Sequence, residues 1–160
     1  MSTSDPLSRL FAGLHREGVE YVLVGGQAVR LNGFLRATED VDVLVAGTRA
    51  NGERVKRALA FLPSSRDLDP AWFVPPASGE VENIRVADDI LVDLLFSANG
   101  HSYEALKPHI RIVDLDGVPV RVVDIAGLLK TKTDFREKDI LDRQVLTRIQ
   151  RGLASGPREN

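Results

Sequence analysis

Two aspartates separated by one valine, Asp40-Val41-Asp42, close a segment that opens on a pair of glycines, Gly25-Gly26. In a strand successive side chains alternate faces, so Asp40 and Asp42 point one way while Val41 and Val43 point the other, into a core. Two carboxylates held side by side raise each other's pKa unless a cation compensates them. A divalent ion is the economical compensator. Magnesium takes a few carboxylate oxygens and completes its shell with water and phosphate oxygens, the ligands such a pair leaves open. The chemistry this supports is metal-assisted transfer at phosphorus, commonly with two ions about 3.5–4 Å apart.

Such chemistry also needs a place for phosphates. Gly25-Gly26 follows the apolar run "VEYVLV" and precedes a short helical stretch, so backbone N–H groups there can approach a triphosphate. A glycine pair alone ends strands of every kind, and a lone Asp-x-Asp also sits on solvated strand faces. The two in this order and spacing are the informative combination. In "DDILVDLLFS", Asp93 interrupts a run of Ile, Leu, Val and Phe, where an unpartnered charge is expensive to bury. It belongs either to the exposed face of an edge strand or beside Asp40 and Asp42 as a third ligand or general base. Asp88 and Asp89 read as turn residues. "KTKTDFREK" gathers Lys130, Lys132, Arg136 and Lys138 near a helix junction, either an anion-binding patch or a solvated helix surface. His15, His101 and His109 do not pair at metal-ligand spacing.

The elements that must position these residues are legible. Ser4-Asp5-Pro6 starts a helix with Leu7, Leu10, Phe11 and Leu14 at helical spacing, and Gly18 ends it. Residues 19–26 form a buried strand running into the glycine turn, and "QAVRLNG" makes two helical turns. "DVDVLV" is the next strand and "NGERVKRALAFL" a helix. Residues 63–79 hold four of the eight prolines and Trp72, the one tryptophan, and read as an irregular loop over a pocket. "EVENIRVA" and "DILVDLLFS" are two strands joined by a tight turn near Asp88-Asp89, and a short helix follows at 102–106. "IRIVDLDGVPVRVVD" is a hairpin, because Asp116-Gly117 favours the positive-φ turn that hairpins use. Asp124 caps the helix "IAGLLKTK", a closing helix follows with Ile140, Val145 and Ile149 inward, and residues 154–160 are a disordered tail. The expected fold is a mixed-sheet α/β (α+β) domain over residues 1–153, with helices flanking the sheet.

Composition sets the outer limits. The 160 residues suit one domain, and a formal net charge of -2 gives no global bias toward nucleic acid or membrane. There is no cysteine, so disulfides, thiolate metal sites and a Cys nucleophile are excluded. No stretch approaches the roughly 20 apolar residues of a membrane span. The first 18 residues, broken by Arg9, His15, Arg16 and Glu17, lack the apolar core of a signal peptide. A cytoplasmic location without membrane attachment is the expectation.

Gly25-Gly26, the run Arg36-x-Thr38-x-Asp40-x-Asp42 and the later Asp93 resemble the polymerase-beta-like nucleotidyltransferase superfamily. Within it, "GGQAVRLNGFLRATEDVDVLV" looks most like the small AbiEii-type nucleotidyltransferases of abortive-infection and toxin–antitoxin systems. "LLKTKTDFREKDILD" supplies a distal Lys followed by Arg136, Lys138 and Asp139, with Lys132 the better match to the leading Lys and Lys130 a close alternative. The resemblance spans about 19–146. It implies that Asp40, Asp42 and Asp93 hold one or two Mg2+ ions, with Asp93 helping to deprotonate the acceptor. Gly25 and Gly26 would hold the phosphates of an NTP co-substrate, and Lys132 or Lys130 would reach the triphosphate. Arg36 and Thr38 would contact phosphate or order the loop, unless Thr38 only caps a turn. The implied activity moves a nucleoside monophosphate from the NTP to an RNA end or a protein side chain. A cognate toxin or antitoxin partner, or a homodimer, would complete the acceptor surface. An antibiotic-type small acceptor and a non-catalytic, antitoxin-like binding partner are the alternatives.

Overall fold

Pro6 opens the first helix, α1 (Pro6–Arg16), in the computed structural model, which describes residues 5–31, 40–74 and 83–131. Asp5 stands at its N-cap in extended conformation without a side-chain bond to the helix, and Ser8 Oγ donates to its carboxylate instead, 3.4 Å. The helical spacing read from the sequence is the buried stripe, with Leu10, Phe11 and Leu14 almost wholly enclosed.

The chain then enters β1 (Tyr21–Val24), turns into α2 (Gly25–Leu31) and returns along β2 (Asp40–Val45). Next comes α3 (Arg49–Ala58), two residues earlier than expected because Thr48 caps it, accepting from the Asn51 N–H at 3.1 Å. The described part of the proline-rich segment, 63–74, is more regular than the expected loop: Pro63–Asp67 and Pro70–Phe73 are 3-10 turns, each with proline in its first turn, and 75–79 lie outside the described residues. Phe73 is fully buried there, while Trp72 remains 50% exposed. Then β3 (Ile84–Ala87) and β4 (Leu91–Leu95) form an antiparallel pair across the turn at Asp88 and Asp89. Finally, α4 (Tyr103–Leu106), the hairpin β5 (Ile110–Leu115) and β6 (Val118–Val123), and α5 (Ile125–Thr131) complete the described chain. Asp116 and Gly117 both have positive φ, as that two-residue hairpin turn requires.

The six strands make one mixed sheet in the order β3-β4-β2-β1-β6-β5. The pairs β4–β2 and β1–β6 are parallel and the other three antiparallel, so the expected mixed-sheet α/β architecture is the observed one. Register divides the sheet into two chemically different faces. Leu23, Val43, Leu94 and Ile84 lie in one row across β1, β2, β4 and β3, and all but Ile84 are fully buried. The adjacent row, on the opposite face, reads Val24, Asp42, Asp93, Arg85. Alternation along each strand separates an apolar row from a charged one.

A buried asparagine ties α3 to the sheet. Asn51 Nδ2 donates to the carbonyls of Glu20 (3.0 Å) and Ala46 (3.1 Å), and its Oδ1 accepts from the Glu20 N–H (2.8 Å). Asn51→Ala strands those backbone groups and should cost about 2 kcal/mol, read as a lower urea midpoint at unchanged m-value. Among the described residues no helix is long and apolar enough to cross a membrane. The closing helix and the tail at 154–160 lie outside the described residues.

Candidate functional site

The charged row is built by three strands and one turn. Asp40 begins β2, and Asp42 stands two residues on, on the same face. Because β2 and β4 run parallel, Asp93 comes directly beside Asp42, and β4 is an interior strand flanked by β2 and β3. The third carboxylate therefore joins the pair; the alternative of an exposed edge strand is not what the fold provides. Asp93 is only 16% exposed at its side chain, whereas Asp40 is 40% exposed.

The glycine turn abuts this row. Gly25 has φ +69 and is the first residue of α2, so the helix starts on the glycine pair itself, earlier than expected from the sequence. A Cβ placed on Gly25 would lie 2.2 Å from Asp42 Oδ2, so the carboxylate rests against the bare α-carbon. Only glycine combines that backbone conformation with that approach. Gly26 follows in the same helical turn. In turn α2 packs against α5, whose last turn carries the exposed Lys130, and the Lys130 carbonyl accepts from Asn99 Nδ2 at 2.9 Å. Arg36, Thr38, Lys132, Arg136, Lys138 and Asp139 lie outside the described residues.

The cation facing the carboxylates is one that the sequence motifs do not single out. Arg85 on β3 stands opposite Asp93 and donates from Nε to Asp93 Oδ1 at 2.7 Å and from Nη2 to Oδ2 at 3.0 Å. The same Nη2 lies 3.5 Å from Asp40 Oδ2. These contacts push the Arg85 pKa above its ordinary value, first through the hydrogen bonds and charge of Asp93 and then through the charges of Asp40 and Asp42. A signal for it did exist: a tight turn centred on Asp89 makes positions 85 and 93 direct partners across a hairpin. Like charges on one face are thus compensated in the structure by a guanidinium.

Donor chemistry bears on whether a metal could be held here. Carboxylate oxygens are the ligands magnesium prefers, and it commonly needs only one or two from the protein, so Asp40 and Asp42 fit it. Among the described residues no group of three acidic or histidine side chains is gathered closely enough to hold an ion. Asp93 has both oxygens engaged by Arg85.

Other polar groups have structural duties. Asp124 Oδ1 accepts from the Gly127 N–H at 2.7 Å, capping α5 as expected, and stands 3.2 Å from His109 Nδ1. Asp88 accepts from Ser64 Oγ (2.7 Å) and the Ser64 N–H (3.1 Å), so it is the turn residue foreseen. Arg121 Nε donates to the Tyr21 carbonyl (2.9 Å) and Nη2 to Tyr103 Oη (2.6 Å), joining β6, β1 and α4. Burial pushes the Tyr21 phenol above its ordinary pKa.

A cavity of about 410 Å³ lies between α1, α3 and the β5–β6 turn, with Phe11, Phe61 and Val118 in its wall and Arg9, Arg16 and Arg57 around it. By strand alternation Val118 belongs to the face of Leu23 and Val43, so this cavity is across the sheet from the aspartates. Among the described residues, none of the proline-rich segment lines this cavity. Its arginines are already committed, Arg16 and Arg57 to Glu17 at 3.0 Å each and Arg9 to the Phe61 ring at 4.7 Å. The carboxylate row, which concentrates reactive groups, is the candidate site.

No protein-family model matches the chain, and no curated protein matches it. Its fold is found in a solved structure, that of a proposed nucleotidyltransferase from Thermotoga maritima, with a TM-score of 0.52 at 14% sequence identity. The similarity covers 92% of this chain and 86% of that one. The chain therefore has a nucleotidyltransferase-like fold.

Proposed function

We propose that the protein is a magnesium-dependent nucleotidyltransferase that moves a nucleoside monophosphate from an NTP to an acceptor hydroxyl. The observation that carries this reading is the contact between the glycine turn and the carboxylate row: Asp42 Oδ2 against Gly25, with Asp93 directly beside Asp42. A nucleotidyltransferase-like fold over nearly the whole chain supports it.

In this reading Asp40 and Asp42 hold the ion, and Gly25-Gly26 leaves room for phosphates beside them. When bound, magnesium supplies charge neutralisation and orientation of the triphosphate. The acceptor hydroxyl is brought in line with the α-phosphorus; its oxygen forms the new P–O bond while the bond to pyrophosphate breaks. Asp93 takes the hydroxyl proton. Lys130, at the end of a helix that packs on α2, offers a cation to the triphosphate, with Lys132, Arg36 and Thr38 assigned phosphate contacts by motif resemblance. That resemblance also makes an RNA end or a protein side chain the preferred acceptor, with a toxin–antitoxin partner as the biological setting.

Incubation with each of four α-labelled NTPs, magnesium, and total cellular RNA and protein tests this. Label should enter one fraction with one nucleotide preferred, and a chelator should abolish transfer. Transfer that persists in chelator would sink the magnesium assignment. A second reading, a non-catalytic binding partner of the same fold, is favoured by one observation: Arg85 already compensates Asp93 and Asp40. Absence of both transfer and magnesium-dependent NTP binding would select it.

A further inference from the structure

Arg85 is ion-paired with two members of the carboxylate row, Asp93 and Asp40. Its guanidinium reaches from the edge strand β3 across β4 to β2, using both oxygens of Asp93 and approaching Asp40. An arginine cannot shed its proton in the accessible pH range, so its charge leaves these carboxylates only if the side chain moves. The position allows that movement, since Arg85 lies on the sheet edge and its side chain is 56% exposed.

We infer that Arg85 is the resident counter-charge of Asp93 and Asp40 and competes with a divalent ion for them, leaving as ion and nucleotide enter. The inference rests on the nucleotidyltransferase reading and adds to it a residue that sets metal affinity. Competition follows from the chemistry of the contacts. A guanidinium bonded to both oxygens of a carboxylate occupies the lone pairs that face the row, and a divalent ion close by would repel it. A phosphate offers the departing guanidinium the same fork of acceptor oxygens, so a nucleotide gives Arg85 a second partner of like geometry. Nucleotide and metal then bind with positive coupling, because each removes the cost of displacing Arg85 for the other.

The test is Mn2+ affinity, measured by electron paramagnetic resonance on the full chain without nucleotide. Arg85→Ala should bind Mn2+ about tenfold more tightly than wild type, the scale typical of coupled sites. Arg49→Ala makes the same charge change on α3, pairing there with Glu53, and should leave the affinity unchanged. Should Arg85→Ala fail to fold, Arg85→Gln, which keeps the aliphatic stem, gives the same readout. Tighter binding in Arg85→Ala but not in Arg49→Ala supports the inference. Wild type that binds Mn2+ while the Arg85 variants bind equally or more weakly overturns it and leaves the nucleotidyltransferase reading intact. No Mn2+ binding by either protein, with or without NTP, overturns both.

Discussion

Asp42→Asn should give a protein that folds normally and no longer transfers nucleotide. Asp42 occupies the centre of the charged row, between Val24 and Asp93, and its Oδ2 rests against Gly25. Replacing its carboxylate with an amide keeps the shape and removes the charge that would hold the ion. A loss of roughly 10³-fold or more is expected, the scale of removing one preorganised electrostatic group from an active site. Stability should change little, because the side chain contributes nothing to the apolar row of Leu23, Val43 and Leu94 on the other face. Circular dichroism melting beside the transfer assay separates the two effects. A variant that retains activity contradicts the assignment, and one that unfolds shows Asp42 to be structural.

The second large effect is expected at Gly25. A methyl group there meets two obstacles, a backbone with φ +69 and a carboxylate oxygen 2.2 Å from the new carbon. The first costs about 1–2 kcal/mol for a non-glycine residue in left-handed conformation. The second forces Asp42 out of its place, so Gly25→Ala should lose both stability and transfer activity. Gly18 provides the control, since it has φ +65 but nothing within 4 Å of where a methyl would stand. Gly18→Ala should therefore show only the backbone cost, about 1–2 kcal/mol, with full activity. The difference between the two variants isolates the contact with Asp42. Equal activity losses in both would mean that the contact has no functional weight.

Much of this arrangement was legible because it rests on local rules. Period-two alternation put Asp40 and Asp42 on one face, and Asp116-Gly117 announced the hairpin turn that the positive φ values bear out. The apolar run around Asp93 suggested a strand beside β2, and the parallel pairing of Asp42 with Asp93 is what the fold provides. What escaped depended on long-range partners. Arg85 carried no motif; the turn at Asp89 could have paired it with Asp93, but its approach to Asp40, 3.5 Å, depends on strand order. The 3-10 turns at 63–67 and 70–73 escaped because prolines mark breaks without saying that Phe73 anchors the segment in the core. Asn51 likewise read as a helix-start residue, while its three bonds to Glu20 and Ala46 depend on how α3 settles on the sheet.

Transfer of the nucleotidyl group at a carboxylate-held ion can be followed by the fate of each phosphate. Purified wild type and Asp42→Asn are incubated side by side with magnesium, acceptor RNA or protein, and the preferred NTP labelled at either the α- or the γ-phosphate. α-Label should become attached to the acceptor, γ-label should leave as pyrophosphate, and neither should happen with Asp42→Asn. Attachment of γ-label, or equal α-transfer by both proteins, would contradict nucleotidyl transfer at such an ion.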